Sequence, residues 1–152
     1  MRHYIPILLL ALLPGTALAL SAGDPAPDFT LPDATGKPFT LSGLRGQFVY
    51  VDFWASWCGP CRQSFPWMNQ LSQRTRNAAL NVVAINVDEN RADAATFLRQ
   101  LPASFTVLYD PAGTVAREWT GNPPQATRPS GSLPADPASA SAIKPDGKSM
   151  AH

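Results

Sequence analysis

The sequence predicts a single α/β domain with a mostly parallel sheet, on three observations. Two apolar runs, Phe48 to Ala55 (FVYVDFWA) and Leu80 to Asp88 (LNVVAINVD), have the length and two-sided hydrophobicity of strands covered on both faces. Between them, Phe65, Met68, Leu71 and Thr75 recur at helical spacing over Cys61 to Asn77, and strand–helix–strand implies a right-handed crossover between parallel neighbours. The 152 residues, 45% of them hydrophobic, suffice for one core but not for a second independent domain.

Taken in order, the first residues read as a targeting segment. Arg2 and His3 are a short basic start, Ile5 to Leu13 an apolar stretch, and Ala17-Leu18-Ala19 the small-x-small pattern of a signal peptidase site, so a signal peptide of residues 1–19 is expected. The competing reading is an uncleaved anchor, because Tyr4 to Gly23 carries no charge, but Pro6, Pro14, Gly15 and Thr16 interrupt that stretch. No cysteine follows the apolar stretch, so a lipid-modified N-terminus is not expected. Asp24 to Leu31 and Lys37 to Leu41 flank the turn signal Asp33-Ala34-Thr35-Gly36 and read as a small hairpin. After the central strand–helix–strand unit, Arg91 to Gln100 reads as a helix and Phe105 to Tyr109 as a third strand. Asp110-Pro111-Ala112-Gly113 is a turn, and Thr114 to Trp119 begins a short helix. Pro66, inside the central helix, is expected to kink it or simply to be tolerated.

From Thr120 the composition changes. The segment 120–152 contains Pro123, Pro124, Pro129, Pro134, Pro137 and Pro145, and its only large aliphatic residues are Leu133, Ile143 and Met150. So little apolar surface does not offset the entropy of ordering the chain, and the segment reads as a Pro/Ala/Ser-rich disordered tail with a local turn at Lys144-Pro145-Asp146-Gly147.

Charge and residue usage exclude several functions. With 12 Lys+Arg against 11 Asp+Glu there is no basic surplus to displace counterions from phosphates, so neither nucleic-acid binding nor attraction to an anionic membrane surface is expected. His3 and His152 lie at the chain ends, and Cys58 and Cys61 are the only thiols, which argues against histidine base catalysis and a four-ligand zinc site. No metal and no dissociable cofactor is expected.

The sharpest chemical signal is Trp57-Cys58-Gly59-Pro60-Cys61 between a buried strand and a helix. The first sulfur then sits at the helix N-terminus, where unpaired N–H groups and the helix dipole stabilise a thiolate, so Cys58 is the expected nucleophile. Two intervening residues let Cys61 reach it across the first turn and resolve a mixed disulfide. Pro60 suits that turn because its missing N–H would have no helical partner there. A bare C-x-x-C is also half a zinc site or a structural bridge, but no second ligand pair exists and so short a loop gives a structural disulfide little stabilising effect. Asp52 is an ionisable group inside an apolar strand; burial raises its pKa and suits it to take the proton Cys61 must lose, the alternative being a structural Asp held by backbone or water. Trp57, Gly59 and Pro60 are the candidate substrate-binding residues. Trp54 and Trp57 each have two readings, substrate surface or core and rim packing. Arg62 either favours a thiolate or is a solvated helix charge.

VDFWASWCGPCR at Val51 to Arg62 resembles the thioredoxin active-site segment. APDFTL at Ala26 to Leu31, Gly36 and LSGLRGQ at Leu41 to Gln47 resemble the redoxin lead-in of exported TlpA/ResA-type thioredoxins, and Arg91 to Tyr109 is similar to the insertion those proteins carry. The resemblance covers about residues 23–119. It implies a thioredoxin-like fold with a redoxin hairpin, with Cys58 as attacking thiol, Cys61 as resolving thiol, Asp52 as buried proton-transfer acid and the Cys58–Cys61 disulfide as the redox group. It further implies a periplasmic, monomeric thiol:disulfide oxidoreductase that reduces disulfides of exported proteins such as apocytochrome c, with a membrane thiol donor restoring the dithiol. Because the lead-in also occurs in peroxiredoxins, a thiol peroxidase is the alternative enzyme, and a truncated, catalytically compromised protein or thiol-bearing binding module is the alternative outside that class.

The family pattern continues with a cis-proline loop facing the cysteines, two antiparallel strands and a helix. None is assignable from the residues after Trp119. Pro123 and Pro124 lie at about the right distance without an apolar strand behind them, and IKPDGK at Ile143 to Lys148 resembles the turn between the two strands without strand-like flanks. The domain is therefore expected to be incomplete at its C-terminal end through a shifted reading frame or another truncation, leaving the strand that starts at Phe48 without its antiparallel neighbour and open to aggregation.

Overall fold

The computed structural model describes residues 20, 21, 23–76 and 78–121, together with the backbone of 140–143. The expected hairpin forms from β1 (Thr30–Pro32) and β2 (Pro38–Thr40), paired antiparallel with Leu31 opposite Phe39. Its turn is held by Asp33, whose carboxylate accepts from the Thr35 and Lys37 N–H groups at 2.8 and 3.0 Å, and Gly36 takes the left-handed conformation the turn needs (φ 86°). A 3-10 turn at Leu41–Leu44 follows, where the Asp28 carboxylate accepts from Ser42 N–H at 2.9 Å.

The rest of the domain is one four-stranded sheet. β3 (Phe48–Trp54) leads through α1 (Gly59–Arg74) to β4 (Leu80–Asn86), and β4 leads through α2 (Arg91–Gln100) to β5 (Thr106–Tyr109). The three strands are parallel in the order β5-β4-β3, with Asp52 opposite Ala84 and Ile85 opposite Leu108. α3 (Thr114–Thr120) follows, its first turn capped by Asp110, which accepts from the N–H groups of Thr114 and Ala116 at 3.0 Å each. α1 begins two residues before Cys61 because Cys58 caps it, and it runs on through Pro66 as one helix.

Alternation along β3 divides the core. Val49, Val51 and Phe53 face one side and pack with the hairpin, Val83, Ile85, Leu108 and α3 through Val115, Ala116 and Trp119. Tyr50, Asp52 and Trp54 share the other parity, where Phe65 and Met68 of α1 and Ala94 and Phe97 of α2 cover the sheet. Trp54, Phe65 and Phe97 form a triangle with centroids 4.8 to 5.0 Å apart. Trp54 thus belongs to the core at 1% exposure, which decides between its two readings.

One expectation needs correcting. β3 does have an antiparallel neighbour: β6 (Ala140–Ile143) lies along it with Asp52 opposite Ala140 and Val49 opposite Ile143. Pairing of this kind is carried by main-chain N–H and C=O groups, which Ala-Ser-Ala-Ile offers as well as any sequence. The run reads as tail only because small residues contribute little apolar surface. Ile143, the start of the IKPDGK stretch, therefore does close a strand. The signal segment 1–19, Pro123, Pro124 and the expected turn at 144–147 lie outside the described residues. No helix among the described residues is long and apolar enough to cross a membrane.

Candidate active site

The cysteines sit where the carboxyl end of β3 turns into α1. Strand β3 stops at Trp54; Cys58 N–H then donates to the Ala55 carbonyl at 3.1 Å, closing a turn over Ser56 and Trp57. Cys58 is the N-cap of α1, its Sγ accepting from Cys61 N–H at 3.3 Å, with Pro60 in the first turn. The two cysteines are joined as a disulfide, with Cα atoms 5.3 Å apart. Their surroundings differ: Cys58 is half-buried beside the exposed Gly59 and Pro60, while Cys61 is only 8% exposed and packs into the α1–α2 core. Cys58 is thus the more exposed of the two. On reduction, the Cys61 N–H that meets Cys58 Sγ and the positive end of the α1 dipole face any charge that develops there.

Asp52 is on the same face of the sheet as Cys61, two residues before the end of β3. It is 7% exposed, and burial pushes its carboxyl up to about 7. A carboxyl of that strength exchanges a proton readily near neutrality. Tyr50, two residues back on the same face, is pushed up to about 12, first by burial and then by the charge of Asp52.

Of the remaining candidates, Trp57 is half-buried on the rim beside Cys58. Arg62 follows neither reading completely: exposed, it donates to Gln100 Oε1 at 3.0 Å and lies 4.7 Å from the centre of the Phe97 ring, tying α1 to α2.

A buried polar cluster beside the active-site turn escapes residue-by-residue reading. Asp88, 5% exposed after β4, accepts from Ser56 N–H at 2.9 Å, from Ser56 Oγ at 3.0 Å and from Asn86 Nδ2 at 2.8 Å. Asn86 is fully buried, accepts from Asp88 N–H at 3.2 Å, and reaches the Trp54 carbonyl at 3.5 Å. The available signal was an Asn-x-Asp sequence closing an apolar strand, polar side chains that must find partners once buried.

A thioredoxin-like redoxin architecture, with a disulfide at the start of its first long helix, is the class that fold and site define. The chain belongs to the AhpC/TSA family, which it matches over residues 22–136. Among curated relatives, it is 33% identical over 118 residues to the thiol-disulfide oxidoreductase ResA of Geobacillus thermodenitrificans, covering 72% of this chain and 68% of that one. It is 35% identical over 92 residues to ResA of Bacillus subtilis, covering 60% of this chain and 51% of that protein, so it spans about half the length of that relative. Among solved structures, one assigned to a thiol:disulfide interchange protein DsbE of Chlorobium tepidum superposes with a TM-score of 0.72 at 43% identity, covering 88% of this chain and 84% of that one. One assigned to a protein disulfide isomerase of Bacteroides thetaiotaomicron gives 0.71 at 28% identity, covering 87% and 77%.

Proposed function

We propose that this protein is a thiol:disulfide oxidoreductase working through the Cys58/Cys61 pair. The carrying observation is the asymmetry of that pair, a half-buried sulfur capping α1 joined to a buried one on the face of the sheet that holds Asp52. In the dithiol state the Cys58 thiolate attacks a substrate disulfide; a Cys58–substrate bond forms, the substrate bond breaks, and the leaving sulfur takes a proton from solvent. Cys61 passes its proton to Asp52 and attacks Cys58 Sγ. The Cys58–Cys61 bond closes, and the second substrate sulfur leaves and takes a proton. The substrate gains two electrons and the protein loses two, so this disulfide is the only redox group the cycle requires. Trp57, Gly59 and Pro60, which flank the attacking sulfur, meet the substrate.

The relatives' names support thiol–disulfide exchange; we extend this to a periplasmic monomer acting on disulfides of exported proteins, with apocytochrome c as a candidate and a membrane thiol donor returning the electrons. Reduction of insulin disulfides by the dithiol form, lost in Cys58→Ser, is the direct test. A thiol peroxidase, the second reading favoured by the AhpC/TSA match, would instead show peroxide-dependent dithiol oxidation far faster than disulfide exchange. Neither reaction from folded protein would leave a thiol-bearing binding module.

A further inference from the structure

Asp88 is a carboxylate kept almost dry without a cation in contact among the described residues, an expensive arrangement unless the group has work that apolar packing would not do. Two of its three donor groups belong to one residue, Ser56, which is 32 positions away in sequence and two before Cys58. The third, Asn86 Nδ2, fixes the carboxylate from behind, and Asn86 also ties it towards the last carbonyl of β3. Ser56 lies inside the turn whose closing bond ends on Cys58 N–H. Gripping Ser56 through both its backbone N–H and its hydroxyl therefore sets the direction from which the chain enters α1, and with it the place of Cys58 Sγ against the Cys61 N–H at the helix N-terminus.

We propose that Asp88 is a positioning residue for the Cys58 thiolate, acting through Ser56 to hold the sulfur on the N-terminus of α1. The proposal rests on the oxidoreductase reading for its biological meaning but not for its test, since the thiolate is observed without any substrate. Position and charge are separable here because they have opposite signs. A negative carboxylate near a thiolate opposes its formation, so deleting charge alone lowers the Cys58 pKa. Loosening the turn takes the sulfur off the helix N-terminus and raises the pKa towards that of a free cysteine.

Asp88→Ala removes charge and grip. Asp88→Asn removes the charge but keeps a shape that grips: its oxygen accepts from Ser56 N–H and Asn86 Nδ2, and its amide N–H₂ donates to Ser56 Oγ. The measurement is the pH dependence of Cys58 alkylation by iodoacetamide in the fully reduced, full-length protein, with Cys61 replaced by Ser in every sample and folding confirmed by circular dichroism. Asp88→Ala is expected to raise the Cys58 pKa by about one unit, roughly tenfold less thiolate at pH values below the titration, while Asp88→Asn leaves it unchanged or lower. A drop of equal size in both variants would make Asp88 a local charge and overturn the proposal. Lost thermal stability with an unmoved titration in Asp88→Ala would make it purely structural and overturn it too. Should Asp88→Ala not fold, Ser56→Ala decides, since it removes only the hydroxyl half of the grip: a raised Cys58 pKa supports the proposal and an unmoved one defeats it. Failure of wild-type protein to reduce insulin would count against the oxidoreductase reading alone.

Discussion

Replacing Asp52 with Asn should make the protein more stable at pH 8 and slower as a catalyst. In the folded chain the Asp52 carboxyl is pushed up to about 7 by burial, whereas in the unfolded chain it titrates near an ordinary aspartate, about 3.9. Between those values the native state holds a proton that the unfolded state has lost, so stability from this group is complete below about pH 4, declines as pH rises to about 7, and is level above. A gap of about three units at 1.36 kcal/mol per unit gives about 4 kcal/mol for the whole decline. The uncharged amide of the Asp52→Asn variant does not titrate and has no such decline. Urea denaturation of the disulfide form of both proteins, from pH 4 to pH 8, should therefore show the difference in unfolding free energy moving by about 4 kcal/mol in favour of the variant. Tyr50 supplies an internal check, because part of its upward shift comes from the Asp52 charge, and its phenol should titrate lower in Asp52→Asn by ultraviolet absorbance. In stopped-flow exchange, the resolving step should slow while formation of the mixed disulfide is spared. A stability difference that does not change with pH would refute the buried-acid reasoning, and unchanged resolution alongside a stability gain would leave Asp52 without a part in proton transfer.

Cys58→Ser should abolish exchange, whereas Cys61→Ser should accumulate a mixed disulfide with substrate, visible on non-reducing gels; trapping by the Cys58 variant instead would reverse the roles. Deleting residues 140–152 should cost on the order of a few kcal/mol and promote concentration-dependent aggregation in light scattering, because it strips β6 from β3 and bares a sheet edge. Phe65→Ala should destabilise by about 3–5 kcal/mol in thermal or urea melts, since the ring is fully buried between Trp54, Phe97 and Phe105.

Where side chains announced their surroundings, the fold was legible from the residues. β3 and β4 are continuous apolar runs, α2 falls on Arg91–Gln100 as its apolar spacing predicts, and the hairpin turn follows from Asp33 and Gly36. The place of the cysteines followed from the C-x-x-C lying between a buried strand and a helix-periodic segment, although the helix starts at Gly59 rather than Cys61, and the burial of Asp52 followed from its being the one charge in an apolar strand. β6 was not legible, because Ala140–Ile143 joins the sheet through main-chain groups that every sequence has. Trp54 was ambiguous because its residue type suits both a core and a surface, and only the approach of Phe65 and Phe97 decides it.

The Asp88 grip was hidden for a different reason, and that reason bears on how the site is built. Ser, Asn and Asp at the ends of strands read locally as turn formers, and a bond spanning 32 residues has no local signature. Topology nevertheless requires the meeting: β3 and β4 are parallel neighbours in register from Phe48 with Leu80 to Trp54 with Asn86, so the turns after Trp54 and after Asn86 leave the same end of the sheet side by side. Val87 N–H donating to the Trp54 carbonyl at 2.9 Å extends the ladder one step past the strands, and Asp88 closes on Ser56 immediately beyond it. The turn that leads into Cys58 is thus held from two directions, by α1 that follows it in sequence and by the β4–α2 turn beside it in space. Substitutions after β4 should accordingly move the Cys58 thiolate without touching either cysteine.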